Sequence, residues 1–467
     1  MALLASRRHH WLLGWICLTT SVDVFNVRTV INISAPTIAG LLLLYYTLPL
    51  MPSAMRTRPV RLMFIQYCYL VLLGLFFGFL IPWANIVGRP WNLQVEGRTV
   101  LYLLRQLAGL SLALFVAQQI VRTKNPRKFL RYIVAGTLFA AAAGVVSFLL
   151  GPGRSLYNLI SLGNFSPSPE KFGTRAAGLN FEPRSLGLVV ATGTLLCLLF
   201  LSRRRTWKWV AALGLSLGCL FLTRSTSSLI ATGLGIIALF GFDRKFRRLL
   251  FPWVVTAGLV VALILVFGVR IPTGSENVVR TDSSWLDLMS SRIGTTVRFG
   301  EASNFFEQVV FRMEIFDAPS VLFLAANPLH LLIGTGPGLV NFPARVFLPV
   351  TPFTAGWVDE GLDSPPSMGF VLELANAGVI GLVLWLASSW FSLRALRNAS
   401  AASEEHVEIW QIGVSMFLAM AMVYLIASGF LSSFWPLFMG MGFGAARLQL
   451  CPDRGSQMKS AAVAARK

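Results

Sequence analysis

Twelve apolar runs, most of them close to twenty residues long, constrain the fold of this chain more than any other feature. A helix needs about 20 apolar residues to cross the hydrocarbon core of a bilayer, where its backbone polar groups must be bonded internally. Only 13% of the residues are charged, whereas charged residues make up about a quarter of a soluble protein. We therefore predict an all-α polytopic membrane protein with about twelve transmembrane helices, over residues 11–25, 30–51, 60–81, 100–121, 129–150, 184–202, 207–222, 225–241, 249–269, 367–391, 408–429 and 432–448.

Basic residues are concentrated in alternate connectors between these runs. The two termini and the connectors predicted on their side hold 25 of the 40 Lys and Arg residues, but only five of the 20 acidic residues. The remaining 15 basic and 15 acidic residues balance, so the net charge of +20 lies on one side. Since loops rich in Lys and Arg stay in the cytoplasm, this pattern predicts cytoplasmic termini. Membrane orientation accounts for the charge, and nucleic acid is not expected as a partner.

Residues 270–366 are the one long interval without a run of spanning length. Within them, apolar residues at helical spacing over 303–332 predict amphipathic helices that Pro319 divides. A lipid-buried chain that keeps one large polar insert is expected to work at that insert. The predicted regions are N-terminal membrane helices one to nine (1–269), a large external loop (270–366), membrane helices ten to twelve (367–450) and a cytoplasmic tail (451–467).

Cysteine and histidine placement argues against disulfide bonds and metal sites. All five cysteines fall in apolar runs or in the C-terminal tail, and no CxxC pair occurs. Of the four histidines, only His330 lies on the predicted outer side. A lone histidine is usually structural, and His330 is also a candidate for acid–base chemistry.

Two arginines flank a carboxylate immediately before the sixth apolar run. Arg175 and Arg184 enclose Glu182 in the segment Arg-Ala-Ala-Gly-Leu-Asn-Phe-Glu-Pro-Arg. Because guanidinium groups bind phosphate oxygens bidentately, this segment predicts an anion site. The alternative is that Glu182 only pairs with one of the two arginines at the membrane interface.

Arg224 lies in the short turn between the seventh and eighth runs, at the predicted outer depth. A charged residue at that position is costly unless it is paired or hydrated, so Arg224 is a substrate-binding candidate. Snorkelling of its side chain to lipid head groups is the alternative.

Arg312 precedes a glycine-rich turn, Gly334-Thr-Gly336-Pro-Gly338. The glycines match neither a dinucleotide-binding nor a P-loop pattern. The turn therefore has two interpretations: a phosphate cradle in which Gly336 contacts the substrate, or a bend that returns the chain to the membrane.

Three carboxylates, Asp359, Glu360 and Asp363, precede the tenth run. Together with Glu182 and His330 they are the candidates for a general base, and Asp363 is also a candidate for substrate binding. Equally, they suit the N-terminus of the helix that follows, where negative charge is favourable.

The order and spacing of these motifs over residues 170–390 resemble the O-antigen polymerase / O-antigen ligase family. The matching residues are Thr174-Arg175, Gly178 and Phe181-Glu182-Pro183, then Leu222-Thr223-x-Ser225, Asn327-Pro328-Leu329, Ile333-Gly334-x-Gly336-Pro337-Gly338 and Gly378-Val-Ile-Gly381.

This resemblance implies a GT-C-like glycosyltransferase of the bacterial inner membrane, with its large loop in the periplasm and no cofactor. It would use polyprenyl-diphosphate-linked glycans as donor and acceptor, with a flippase and a chain-length regulator as partner proteins. Arginines on the outer side are thought to stabilise the diphosphate in this family. By position Arg175 and Arg312 correspond to them, while Arg184 and Arg280 are added on chemical grounds.

The sequence departs from the family pattern at two places. Ligases carry His-Asn where Ser367 and Met368 stand, which favours a polymerase over a ligase. Thr226 stands at a family arginine position, and Arg224 lies two residues earlier. A ligase that transfers finished glycan to another acceptor remains the alternative enzyme. A transporter or flippase of lipid-linked sugar is the alternative outside enzymes.

Overall fold

The computed structural model describes residues 9–22, 27–28, 32–80, 94–150, 156, 175–180, 182–248, 317–347, 366–427 and 434–450. Several predictions lie outside these residues: the ninth apolar run (249–269), most of the large loop, the tail, and the candidates Arg280, Arg312, Asp359, Glu360 and Asp363.

The described residues are almost entirely helical. Two-residue strands β1 (Val27–Arg28) and β2 (Asn32–Ile33) form one antiparallel pair. The helices are α1 His9–Ser21, α2 Ala35–Ala54, α3 Arg58–Leu80, α4 Val95–Thr123, α5 Arg127–Leu149, α6 Pro183–Arg203, α7 Trp207–Thr223, α8 Thr226–Phe242, α9 Ala318–Ala326, α10 Pro328–Ile333, α11 Asn341–Ala344, α12 Gly369–Ala402, α13 Val407–Met422 and α14 Trp435–Leu450. A 3-10 turn interrupts α2, and π-helical turns end α3 and follow α13.

Seven of the described helices are long and apolar enough to cross a membrane: α2 to α6, α12, and α13 with its π-helical extension. Four shorter helices, α1, α7, α8 and α14, occupy the first, seventh, eighth and twelfth predicted runs. The prediction of a helical membrane protein is therefore confirmed. The number of twelve spans stays a prediction.

Small residues let the helices of the bundle approach closely. A Cβ added at Gly40 of α2 would lie 2.4 Å from the carbonyl oxygen of Ala108 in α4. On another side of α4, a Cβ at Gly440 of α14 would lie 2.5 Å from the carbonyl oxygen of Ala113. Helices in lipid associate through such small-residue contacts, because burial of apolar area brings little gain there. These contacts place α4 between α2 and α14.

Among the seven helices long enough to cross a membrane, α6 is the most enclosed, with 83% of its most apolar window buried. It packs against α5, α7 and α8. Pro183 occupies the first turn of α6, where its missing N–H group costs nothing. Glu182 and Arg184 flank this proline, so the interior helix of the bundle carries both candidates at its beginning.

Candidate functional site

The segment 175–180 docks against the ends of three helices. The backbone N–H of Ala176 donates to the Leu222 carbonyl of α7 at 3.0 Å, and Asn180 Nδ2 donates to the Ser21 carbonyl of α1 at 3.5 Å. Gly178 has φ +63°, and a Cβ there would lie 2.8 Å from the backbone nitrogen of Gly144 in α5. Only glycine suits this close approach at positive φ.

Arg175 binds the C-terminal end of α7. Its Nε donates to the Thr223 carbonyl at 3.0 Å and its Nη2 to the Arg224 carbonyl at 3.3 Å. These carbonyls lack partners inside the helix, and a cation near them also complements the helix dipole. The guanidinium of Arg175 is therefore held at the turn between α7 and α8, 48 residues further along the chain.

This turn carries Arg224 and a pair of hydroxyl groups. Arg224 adopts a left-handed conformation (φ 47°, ψ 38°), and its backbone N–H donates to the Phe221 carbonyl at 3.1 Å. The Ser228 Oγ lies 2.8 Å from the Ser225 Oγ and 3.3 Å from the carbonyl oxygen of Arg184. The beginning of α6 is thus bonded to the beginning of α8.

A glycine allows this approach of α6 to the turn. A Cβ at Gly187 would lie 2.3 Å from the Ser228 Oγ. As a result, Arg175, Arg184 and Arg224 meet at one end of the bundle, which we call the arginine end. The sequence predicts Arg175 and Arg184 as one anion site and Arg224 as a separate candidate, and the fold brings Arg224 to the other two.

Glu182 lies half-buried at the same end, as the residue that precedes α6. Among the described residues it forms no ion pair with Arg175 or Arg184, so the structure does not show the pairing considered as an alternative. Its carboxylate is a candidate proton acceptor at the arginine end.

His330 packs between two aromatic rings. Its ring centroid is 5.3 Å from that of Phe77 in α3 and 5.4 Å from that of Phe323 in α9. Its Nδ1 lies 3.1 Å from the Gly334 carbonyl oxygen at the end of α10. These contacts fit the structural interpretation of His330.

The glycine turn fills a break in α12. Gly378 lies inside α12 with φ 63° and ψ −166°, which is not helical. The N–H groups of Thr335 and Gly336 donate to the Ala375 and Asn376 carbonyls at 2.8 and 3.2 Å. A break in a membrane helix is tolerated where neighbouring groups satisfy the exposed carbonyls. The Gly336 N–H is therefore bonded to α12, as expected if the turn returns the chain to the bundle.

Asp317 caps the beginning of α12. It is buried, and its carboxylate accepts hydrogen bonds from the Ser367 Oγ at 2.5 Å and from the Met368 N–H at 3.0 Å. A carboxylate at this position satisfies unpaired helical N–H groups and favours the positive end of the helix dipole. Ser367 thus ties α12 to the residue preceding α9.

A second polar cluster, which sequence reasoning did not assign a role, lies inside the bundle. The Glu373 carboxylate accepts hydrogen bonds from Gln66 Nε2 of α3 at 3.0 Å and from the Tyr424 hydroxyl at 2.9 Å. Glu373 is 4% exposed and borders a cavity of about 50 Å³. The sequence signal for this cluster is the position of Glu373 inside the apolar run 367–391, since an ionisable residue within a membrane span indicates function.

An apolar groove of about 590 Å³ runs between α1 and α5. Its walls are aromatic and small side chains: Trp11, Gly14, Trp15, Leu18, Tyr132 and Phe139. The same two helices continue to Ser21 and Gly144, where the segment carrying Arg175 is docked. The groove therefore leads toward the arginine end.

No protein-family model matches this chain, and no curated protein is similar to it.

Proposed function

We propose that this protein is a membrane glycosyltransferase that polymerises polyprenyl-diphosphate-linked oligosaccharide repeat units at the periplasmic face. The observation that carries the proposal is the meeting of Arg175, Arg184 and Arg224 at one end of the bundle. Of the three, Arg175 belongs to a motif that resembles the O-antigen polymerase / ligase family, whereas Arg184 and Arg224 are included on chemical grounds.

A diphosphate is the leaving group that suits such a set of cations. Negative charge develops on the diphosphate as its bond to the sugar breaks, and fixed guanidinium groups lower the energy of that transition state. Arg175 is bonded to two carbonyls of the α7–α8 turn, so its position is set before substrate binds. The buried Ser225 and Ser228 hydroxyl groups bond this turn to the Arg184 carbonyl and so hold it against the beginning of α6.

The apolar groove between α1 and α5 favours a substrate that carries a lipid chain. Its volume of about 590 Å³ falls in the range of known ligand pockets, roughly 300–1,000 Å³. An apolar isoprenoid chain in this groove would place its diphosphate toward Arg175, because the groove leads to the segment 175–180.

In the proposed reaction, a hydroxyl oxygen of the acceptor repeat unit attacks the anomeric carbon of the donor glycan. A new glycosidic C–O bond forms while the C–O bond to the polyprenyl diphosphate breaks. The hydroxyl proton passes to a general base. The candidate for this base is Glu182, the residue that precedes α6 at the arginine end. The diphosphate leaves with its negative charge stabilised by the arginines.

Replacement of Arg175 by alanine is expected to lower the polymerisation rate about a hundredfold or more, since one donor to an oxyanion contributes roughly 3 kcal/mol. Lysine should restore only part of the rate, because it lacks the planar fork. The measurement is the product ladder formed by purified protein in liposomes with lipid-linked repeat units. Arg204→Ala, which removes an exposed arginine at the opposite end of α6, is the matched control.

The thermal midpoint of each variant separates catalysis from folding, because Arg175 also caps α7. A ladder from folded Arg175→Ala that equals the wild-type ladder contradicts the proposal. Single repeat units that only cross the bilayer would indicate a flippase. Finished polymer transferred to a different acceptor would indicate a ligase.

A further inference from the structure

The cavity beside Glu373 shares no lining residue with the arginine end, and it lies among α3, α4, α12, α14 and the π-helical turn after α13. Its polar lining consists of Gln66 and Tyr67 of α3, Gln106 of α4, Glu373 and Ser388 of α12, and Tyr424 after α13. Trp385 and Trp435 supply part of the apolar wall. A volume of about 50 Å³ admits water-sized occupants, since one water needs roughly 10–15 Å³ by the same measure.

The break in α12 shapes this cavity. Glu373 and Ser388 both line it, although fifteen residues of a straight helix would separate them by about 22 Å. The non-helical residue Gly378 lies between them. The cavity therefore borders both halves of α12, and Glu373 supplies its carboxylate from the first half.

Both oxygens of the Glu373 carboxylate accept hydrogen bonds, one from Gln66 Nε2 and the other from the Tyr424 hydroxyl. That pattern suits an ionised carboxylate, which is only an acceptor. An ionised carboxylate inside a bundle requires a compensating positive charge. Among the described residues that line the cavity, none is a lysine or an arginine.

The other polar groups of the lining are oxygen ligands suited to a hard cation. The Gln66 side chain donates to Glu373 through Nε2, so its amide oxygen is the atom that can act as a ligand. Gln106 contributes an amide oxygen. The Ser388 hydroxyl instead donates to the Pro59 carbonyl of α3 at 2.8 Å. A single carboxylate matches one positive charge, whereas calcium sites usually combine several carboxylates.

An aromatic stack holds one wall of the cavity in place. The Tyr424 ring is stacked on Trp385 at 5.4 Å between centroids and on Trp435 at 5.6 Å, and the two tryptophans are 4.9 Å apart. The stack fixes the hydroxyl that bonds Glu373. Indole faces also attract cations.

We propose that this cavity binds one small monovalent cation, Na⁺, through Glu373 and the oxygens of Gln66, Gln106 and Tyr424. Such an ion would link α3, α4, α12 and the extension of α13 around the break in α12. This cation site goes beyond the proposed transferase activity, because it lies in a different cavity and requires no glycan. Binding to the folded bundle stabilises it by RT ln(1 + [Na⁺]/Kd), so stability rises with the Na⁺ concentration.

The test is the thermal midpoint of the purified full-length protein in detergent, in NaCl or choline chloride at equal ionic strength. Na⁺ at 150 mM is expected to raise the midpoint by about 2 °C or more in the wild type. The shift should disappear in Glu373→Gln. It should persist in Glu408→Gln, which alters an exposed carboxylate paired with Lys245 on the same polypeptide.

Equal midpoints of the wild type in NaCl and choline chloride would overturn the proposal. So would a Na⁺-dependent shift that survives in Glu373→Gln, because the ion would then bind elsewhere. Should Glu373→Gln fail to fold, binding of radioactive ²²Na⁺ to the wild type decides the question: saturable uptake of about one ion per chain supports the site, and its absence rejects it. Neither readout depends on polymerase activity, so the two proposals can fail separately.

Discussion

Replacement of Gly378 by alanine is expected to abolish recovery of folded protein. The added Cβ would lie 2.3 Å from the Leu332 carbonyl oxygen and 2.6 Å from the Gly334 nitrogen, which are both backbone atoms. The residue also has φ 63° and ψ −166°, a conformation that is essentially restricted to glycine. Because neither backbone segment can move without losing its bonds to the other, we expect destabilisation above about 4 kcal/mol.

The measurement is the monodisperse fraction of detergent-solubilised protein, followed by its thermal midpoint. Gly233→Ala in α8 is the matched control, because no heavy atom lies within 4 Å of a Cβ at that position. The same substitution there should change stability by less than about 1 kcal/mol, in the stabilising direction. A Gly378→Ala protein with the wild-type midpoint would show that the glycine turn does not depend on the break in α12.

Replacement of Asp243 by asparagine is expected to destabilise the bundle by about 3–5 kcal/mol, as found when one partner of a buried ion pair is removed. The Asp243 carboxylate lies 2.6 Å from Arg203 Nη2, with side-chain exposures of 1% and 5%. It also accepts hydrogen bonds from the Ser415 Oγ at 2.7 Å and from the Phe246 N–H at 3.0 Å. The substitution leaves the Arg203 charge buried without its counter-charge.

Lys245→Ala is the control for this prediction. It removes the neighbouring ion pair between Lys245 and Glu408, whose side chains are 52% and 49% exposed. Exposed pairs contribute about 0–1 kcal/mol, so this variant should unfold close to the wild-type temperature. Similar midpoints for Asp243→Asn and Lys245→Ala would mean that burial does not strengthen the Arg203–Asp243 contact.

The amino-acid pattern was sufficient for the membrane class and for the places of most helices. Eleven of the twelve predicted runs coincide with described helices, because run length and composition are local properties that the thickness of the bilayer selects. The sequence also predicts which arginines lie near the ends of the helices. Arg175, Arg184 and Arg224 are candidates from their places in the sequence alone.

Contacts between distant segments could not be read in this way. The run 367–391 predicted one span, whereas α12 extends from Gly369 to Ala402 and is broken at Gly378. Donors to the carbonyls at this break come from the glycine turn, more than thirty residues earlier. Likewise, the sequence analysis assigns Glu373 no role, and its partners lie 307 and 51 residues away.

The sequence alone thus determined that the chain is a helical membrane protein and which of its arginines are candidates for anion binding, since hydropathy and charge are properties of single segments. The tertiary structure decided which candidates meet. It placed three arginines at one end, packed His330 between aromatic rings and enclosed Glu373 beside a polar cavity. Those outcomes depend on small-residue contacts and on hydrogen bonds between residues far apart in the chain. Buried polar groups must form hydrogen bonds, and helix packing determines which partners are within reach.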